Sequence, residues 1–394
     1  MHFLIALDDP LHRDFLQSAL GRFGAINITE VADGPSALRL FQNPLQKIDI
    51  AFIDLHTTGI DGMELIRNMA KTAADTAVIM SGAIDTSLEF SVSTLSSAYG
   101  ISLLGFVQKS DGIDALEAAI KRYVPRKNSD KEAASQALVF DIGDVLMGLA
   151  NGEIVPYFQP KVDLATGRVV GAEAFARWEH PQHGVLTPTH FIPVLERYSQ
   201  LDQLTHRMID QSAAACCKWH AAGHLISVSI NLGTAMLSDP HATEVIFTQV
   251  AAHELDPSFV VFEITESAAN KDVPECLENV VRLRMKGFEL SVDDYGTGNA
   301  SMQQLLRIPF SELKIDRSFV AGAADNETLA TVLRSSLDLA AKLDKISVAV
   351  GIESQQDWDF LKKIGCAYGQ GFYIAKPMPA AALPGWMLEW AEFF

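Results

Sequence analysis

The chain has 394 residues, 48% hydrophobic, 8% aromatic and 20% charged. That is enough apolar material for two ordinary globular domains and argues against a disordered chain. Its 49 acidic and 31 basic residues give a formal net charge of −18, which repels nucleic-acid phosphates; no basic run offsets it, so DNA is not an expected partner.

Acidity of this kind also suits a protein that gathers carboxylates around divalent cations. The four cysteines, Cys216, Cys217, Cys276 and Cys366, show no Cys-x-x-Cys spacing and read as reduced thiols of a cytoplasmic protein. The first residues are apolar only as far as Asp8 and Asp9 and carry no basic n-region, so no signal peptide is expected. No stretch approaches the roughly 18 apolar residues of a membrane span.

In chain order, Phe3–Leu7, Ile26–Val31, Ile48–Ile53, Ala77–Met80 and Gly105–Val107 read as short apolar strands. Leu11–Phe23, Gly34–Phe41, Gly62–Met69 and Gly112–Tyr123 carry helical spacing. Such alternation predicts an α/β domain over 1–125, with a parallel sheet covered on both faces. The polar segment 126–137 reads as a linker, or as a signalling helix running on into Gln136–Leu149. A second α/β unit over 138–394 has about the length of a (β/α)8 barrel. Neither a short internal repeat nor a low-complexity tract is present.

Asp8 and Asp9 end the first predicted strand, Asp54 the third and Ser81 the fourth, and Lys109 follows the fifth. In an open parallel sheet those strand ends line one crevice. Three carboxylates gathered there repel unless a cation joins them, and oxygen-only ligation suits Mg²⁺. A hydroxyl and an ammonium at the same edge would complete a phosphoryl site. These residues, with the turn Asp54-Leu-His-Thr-Thr-Gly-Ile-Asp-Gly62, resemble the phosphoacceptor site of response-regulator receiver domains. The resemblance implies a doubly wound, flavodoxin-like fold, phosphorylation of Asp54 by a cognate histidine kinase, and Mg²⁺ held by Asp8 and Asp9. Ser81 and Lys109 would sense the phosphate. Ser110 departs from the family, which has proline there.

In the second unit, polar residues recur at the ends of apolar runs: Glu173, Asn231, Glu263, Asp293-Asp294, Lys314, Glu353 and Gln370. Carboxylates on apolar strands are expensive to bury unless paired or bound to metal, and the C-terminal face of a barrel carries its active site. Hard oxygen ligands suit Mg²⁺ or Mn²⁺. Two such ions about 3.5–4 Å apart are a known arrangement for in-line attack on a phosphodiester.

The strings Tyr157-Phe-Gln-Pro160, Glu173-Ala-Phe-Ala-Arg-Trp178, Glu263-Ile-Thr-Glu-Ser267, Asp293-Asp-Tyr-Gly-Thr-Gly298, Lys314-Ile-Asp-Arg317 and Gln370-Gly-Phe-Tyr-Ile-Ala-Lys-Pro377 resemble the EAL family of cyclic di-GMP phosphodiesterases. The match extends over about 150–380. It implies a TIM-like barrel that opens cyclic di-GMP to pGpG with one or two Mg²⁺ or Mn²⁺ ions, in a dimer or tetramer. By that resemblance Glu173, Asn231, Glu263 and Asp293 hold a first metal and Asp294 a second. Lys314 contacts the catalytic water, Glu353 belongs with the catalytic set, and Glu266 anchors the loop Asp294–Ser301. Gln159, Arg177 and Gln370 meet the ligand. Leucine of the name motif has become Phe175.

One departure bears on activity. The family's seventh strand reads Glu-Gly-Val-Glu, and here it is Val350-Gly351-Ile352-Glu353. The missing acid helps hold the second metal or serves as general base. Glu353 is three residues away and has its own match in the motif, so it is not a substitute on a regular strand. Losing a general base costs roughly 10²–10⁴-fold in rate, whereas the remaining acids, Arg177 and Gln159 preserve recognition. The expectation is a cyclic di-GMP-binding output with impaired hydrolysis; the alternative is an inactive receptor acting through a protein partner.

Overall fold

The computed structural model describes residues 1–23, 27–43, 47–73, 75–82, 86–108, 112–123, 138, 140–265, 274–297 and 307–392. The chain divides into two compact units, Met1–Ala137 and Leu138–Phe394. The expected linker, 126–137, lies outside the described residues.

The first unit alternates β1 (His2–Ala6), α1 (Pro10–Arg22), β2 (Asn27–Val31), α2 (Gly34–Phe41), β3 (Ile50–Asp54), α3 (Gly62–Thr72), β4 (Ala77–Ser81), α4 (Thr86–Ala98), β5 (Leu103–Val107) and α5 (Ile113–Lys121). All strand pairs are parallel, in the order β2-β1-β3-β4-β5, the flavodoxin-like arrangement.

The continuous apolar strands are buried on both faces. Leu4, Ala6, Ala51, Ile53, Val78 and Met80 enter one core, while Phe3, Ile5, Ile50, Phe52, Ala77 and Ile79 enter the other, as the two-residue strand period requires. Aspartates start three helices. Asp9, Asp33 and Asp61 accept the backbone N–H of Leu11, Ser36 and Glu64 at 3.0, 2.7 and 2.8 Å, each satisfying one orphan donor. The sequence names no helix between the fourth and fifth strands, and α4 fills that place. Its run Thr-Ser-Leu-Glu-Phe-Ser-Val-Ser-Thr-Leu-Ser-Ser-Ala is rich in Ser and Thr, which weakens a helical signal.

The second unit is a barrel of eight strands: β6 (Ile154–Asp163), β7 (Val169–His180), β9 (Ser227–Asn231), β10 (Val260–Thr265), β11 (Glu289–Tyr295), β12 (Glu312–Ile315), β13 (Ile346–Val350) and β14 (Tyr368–Gln370). Two short strands, β8 (Gly184–Leu186) and β15 (Met378–Pro379), extend β7 and β6. The ring closes because β6 pairs with both β7 and β14.

β6 runs antiparallel to both neighbours, and the other neighbouring pairs in the ring are parallel. The cause is the short connection between β6 and β7. A parallel crossover needs about a dozen residues or more, and only 164–168 separate these strands. Asp163 closes the turn by accepting the N–H of Thr166 at 2.8 Å. No helix among the described residues is long and apolar enough to cross a membrane.

Candidate functional site

The barrel strands turn their apolar side chains outward and their polar ones to the axis. Phe262, Ile264, Leu290, Val292 and Leu313 pack in the outer apolar core. The intervening Glu263 on β10, Glu173 on β7 and Lys314 on β12 meet inside. The Lys314 ammonium donates to Glu173 Oε2 at 2.9 Å, to Glu263 Oε2, and lies 3.2 Å from Asp293 Oδ1. Three strands and the end of a fourth thus converge on one lysine.

Glu173 is the most heavily bonded acid. Gln370 Nε2 donates to its Oε2 at 2.9 Å and Asn231 Nδ2 to its Oε1 at 3.1 Å. Gln370 also donates to Gln159 Oε1 at 3.0 Å, and Gln159 Nε2 is tied to the Ala375 carbonyl at 2.8 Å. Together with Lys314, these amides fix the orientation of Glu173.

Three carboxylates around one ammonium leave an excess of negative charge in a buried place. Burial works against the charge on Glu173, but the ammonium and hydrogen bonds of Lys314 hold its carboxyl below the usual range. Burial and the charge of Glu173 push Glu263 well above the usual carboxylate range, with Lys314 opposing. Burial likewise raises Asp293. Lys314 itself is disfavoured by burial, yet its three acids hold its ammonium well above the ordinary lysine range. The cluster has room for more positive charge.

Glu173, Glu263 and Asp293 each offer an oxygen within 4.8 Å of the others. An all-carboxylate donor set of that span fits a hard divalent cation such as Mg²⁺ or Mn²⁺.

Asp294 follows at the rim with φ +56°, where the β11–β12 register shifts between Val292 and Tyr295. Partial burial and the nearby Asp293 and Asp316 raise its carboxyl. The structure does not bring Glu353 to the cluster. The last residue of β13 is Val350, Cα partner of Gln370, and Gly351 turns the chain with φ +80°. Glu353 then pairs with Arg317 at 2.9 Å, both side chains substantially exposed. Arg177, on β7, is half-buried near the outer end of the strand. Glu266 lies outside the described residues, as do 298–306 of the loop after β11.

In the first unit, Asp54 ends β3 and Ser81 ends β4 as Cα partners, and both are buried. The Asp54 carboxylate accepts the N–H of His56 at 2.9 Å. Asp8 is exposed, and Asp9 caps α1. The structure does not gather Asp8, Asp9 and Asp54 within the 4.8 Å span that marks the barrel cluster. Lys109 and Ser110 lie outside the described residues.

Two features escape sequence reasoning. His12, buried on α1, brings Nδ1 to 3.5 Å from Ser81 Oγ. Deeper in the barrel, Lys161 and Glu312 form a buried ion pair at 2.6 Å. The clue to the second was a charged residue within each of two strand runs, which burial tolerates only when paired.

The fold and site define a class: a parallel-sheet unit joined in one chain to an eight-strand barrel whose interior is acidic and suited to metal. Two family models match, the response regulator receiver domain over residues 3–121 and the EAL domain over residues 142–377. The cyclic di-GMP phosphodiesterase RocR of Pseudomonas aeruginosa is 34% identical over 379 residues, spanning 96% of each protein. Among solved structures, the PaMucR phosphodiesterase in complex with c-di-GMP is 34% identical with a TM-score of 0.59, matching 61% of this chain and 98% of that one. The EAL enzyme Bd1971, bound to cAMP and cyclic di-GMP, is 25% identical with a TM-score of 0.59, over 71% of this chain and 77% of that one. The chain belongs to the EAL family and carries an N-terminal receiver domain.

Proposed function

We propose that the chain is a two-component response regulator whose EAL barrel binds cyclic di-GMP with divalent metal, and that Val350 impairs its hydrolysis to pGpG. The observation that carries the reading is the Glu173–Glu263–Asp293 cluster around Lys314, at the end of the barrel where such sites form. The relatives named for cyclic di-GMP supply its ligand class.

In this reading Glu173, Asn231, Glu263 and Asp293 hold a first Mg²⁺ or Mn²⁺, and Asp294 would serve a second. When bound, the metals supply water activation and charge neutralisation at the phosphodiester. Lys314 orients the attacking water, while Gln159 and Gln370 keep Glu173 aimed. Arg177 meets a ligand phosphate from the mouth. Val350 stands where the family has an acid, and an isopropyl group neither ligates metal nor accepts a proton. Glu353 does not replace it, since its carboxylate is engaged by Arg317. In the receiver, Asp54 accepts the phosphoryl group from a histidine kinase, with Ser81 and Lys109 reading the phosphate.

The same departure favours a second reading, a receptor that holds cyclic di-GMP uncut and signals through a protein partner. Turnover to pGpG in Mg²⁺ and in Mn²⁺, measured for the chain and its Val350→Glu variant, separates the two. We expect the variant to be faster by roughly 10²-fold or more, the scale of a lost general base. Equal rates would make Val350 a tolerated change and the chain an ordinary phosphodiesterase.

A further inference from the structure

Phe175 stands where the family's name motif has leucine, and its surroundings give that exchange a purpose. Strand alternation puts Glu173, Phe175 and Arg177 of β7 on one face. Across the hairpin their Cα partners on β6 are Gln159, Tyr157 and Val155. This ladder leads from the buried acid cluster out to Arg177.

The Arg177 guanidinium carbon lies 5.8 Å from the centroid of the Phe175 ring, within the roughly 6 Å reach of a cation–π contact. One Nη1 hydrogen goes to the Ala176 carbonyl at 2.8 Å. The neighbouring Tyr157 hydroxyl donates to Glu179 Oε1 at 3.1 Å and lies close enough to Arg177 for the two groups to interact electrostatically. No acidic side chain among the described residues forms an ion pair with Arg177; the Phe175 ring, the Ala176 carbonyl and the nearby Tyr157 hydroxyl surround its guanidinium.

A guanidinium meets an aromatic ring with its face and a phosphate with its edge, so the two contacts are compatible. Leucine at 175 would fill space but present no negative π face. We infer that Phe175 is a positioning residue that carries the Arg177 guanidinium on its ring and holds the free N–H edge toward a ligand phosphate. This deepens the functional reading above and rests on it for the identity of the ligand.

The test has two arms on the full-length chain. In the first, without ligand, the Arg177 Nε–Hε resonance is identified by its loss in Arg177→Lys. It should shift in Phe175→Leu, where the ring current is gone, and stay close to its place in Phe175→Tyr. In the second, calorimetry with cyclic di-GMP in Mg²⁺, the ligand checked intact, measures affinity. Phe175→Leu should bind roughly three- to tenfold more weakly, Phe175→Tyr should restore binding, and Phe175→Leu should add nothing in an Arg177→Ala background.

An unmoved resonance, or equal affinities for the chain and Phe175→Leu, would overturn the positioning role. So would a Phe175→Leu loss persisting in full without Arg177, because the ring would then act on the ligand directly. Failure of the unaltered chain to bind cyclic di-GMP would remove the functional reading, leaving the resonance arm to decide alone whether ring holds guanidinium.

Discussion

Lys314 faces three acids from a position 1% exposed, and it does so from the centre of an apolar barrel wall. Removing one partner of a buried ion pair typically destabilises by about 3–5 kcal/mol, because the remaining charges are left uncompensated. Lys314→Met keeps the length of the side chain and deletes the ammonium. Glu173, Glu263 and Asp293 would then repel one another with only Asn231 and Gln370 to satisfy them. The variant should melt roughly 10 °C lower in chelator, and Mg²⁺ or Mn²⁺ should recover part of the loss. A divalent cation can take over the role of the missing charge and stabilises in proportion to its occupancy. Identical melting of variant and parent in chelator would mean that Lys314 does not balance the cluster. The high-lying carboxyls of Glu263 and Asp293 belong to the same balance: each ionises reluctantly until positive charge arrives.

At the scale of elements, the site depends on how closely β14 approaches the segment after β13. Gly371 sits so near Ile352 that an added Cβ would overlap that residue's backbone nitrogen and carbonyl oxygen. The closeness is fixed by two bonds, Ile352 N–H to the Gln370 carbonyl at 3.1 Å and Tyr373 N–H to the Ile352 carbonyl at 3.0 Å. Gly371→Ala must push these backbones apart, at a cost of about 1–3 kcal/mol in the range of overpacked cores. Gln370 moves with them and loses its aim at Glu173. Melting temperature and cyclic di-GMP affinity should therefore fall together, and a variant with lowered stability but unchanged affinity would uncouple the strand from the site. None of this closeness was legible in the string Gln370-Gly371, which signals a turn as readily as a close approach.

What was legible at this scale followed from periodicity. Apolar runs ending in polar residues located the strand ends that carry Asp54 and Ser81, whereas Glu173, Glu263 and Asp293 sit within β7, β10 and β11, which run on past them. Less was legible where neighbours decide. The antiparallel β6 depends on a short turn read against its sheet partner. Glu353 looked like one more acid in the ring, because a residue's type does not reveal that Gly351 turns the chain out toward Arg317. His12 was invisible for a different reason: only the packing of α1 against the sheet brings an ordinary helical histidine to Ser81.

At the scale of the whole molecule, the two candidate sites belong to separately packed units. A phosphoryl group at Asp54 can regulate the barrel only through a receiver rearrangement whose two states differ in free energy of interaction with the output. Asp54 lies at the end of β3 in the first unit, its carboxylate held by the His56 N–H, while the proposed cyclic di-GMP site is built from residues of the second. Asp54→Asn preserves size and much of that hydrogen bonding while removing the oxygen nucleophile. Nucleotide affinity without phosphodonor should therefore be the same in the variant and the parent. Addition of a small acyl-phosphate donor should change affinity or turnover in the parent by about 5–150-fold, the usual range of allosteric coupling, and leave Asp54→Asn unmoved. Where the donor changes affinity, reciprocity requires that saturating cyclic di-GMP shift the phosphoryl-bound equilibrium of the receiver by the same factor. The lifetime of phosphorylated Asp54 with and without nucleotide gives a second view of that link, although a rate need not change by the equilibrium factor. A donor response that survives in Asp54→Asn would place the regulatory input elsewhere and leave the receiver's buried aspartate as a structural acid.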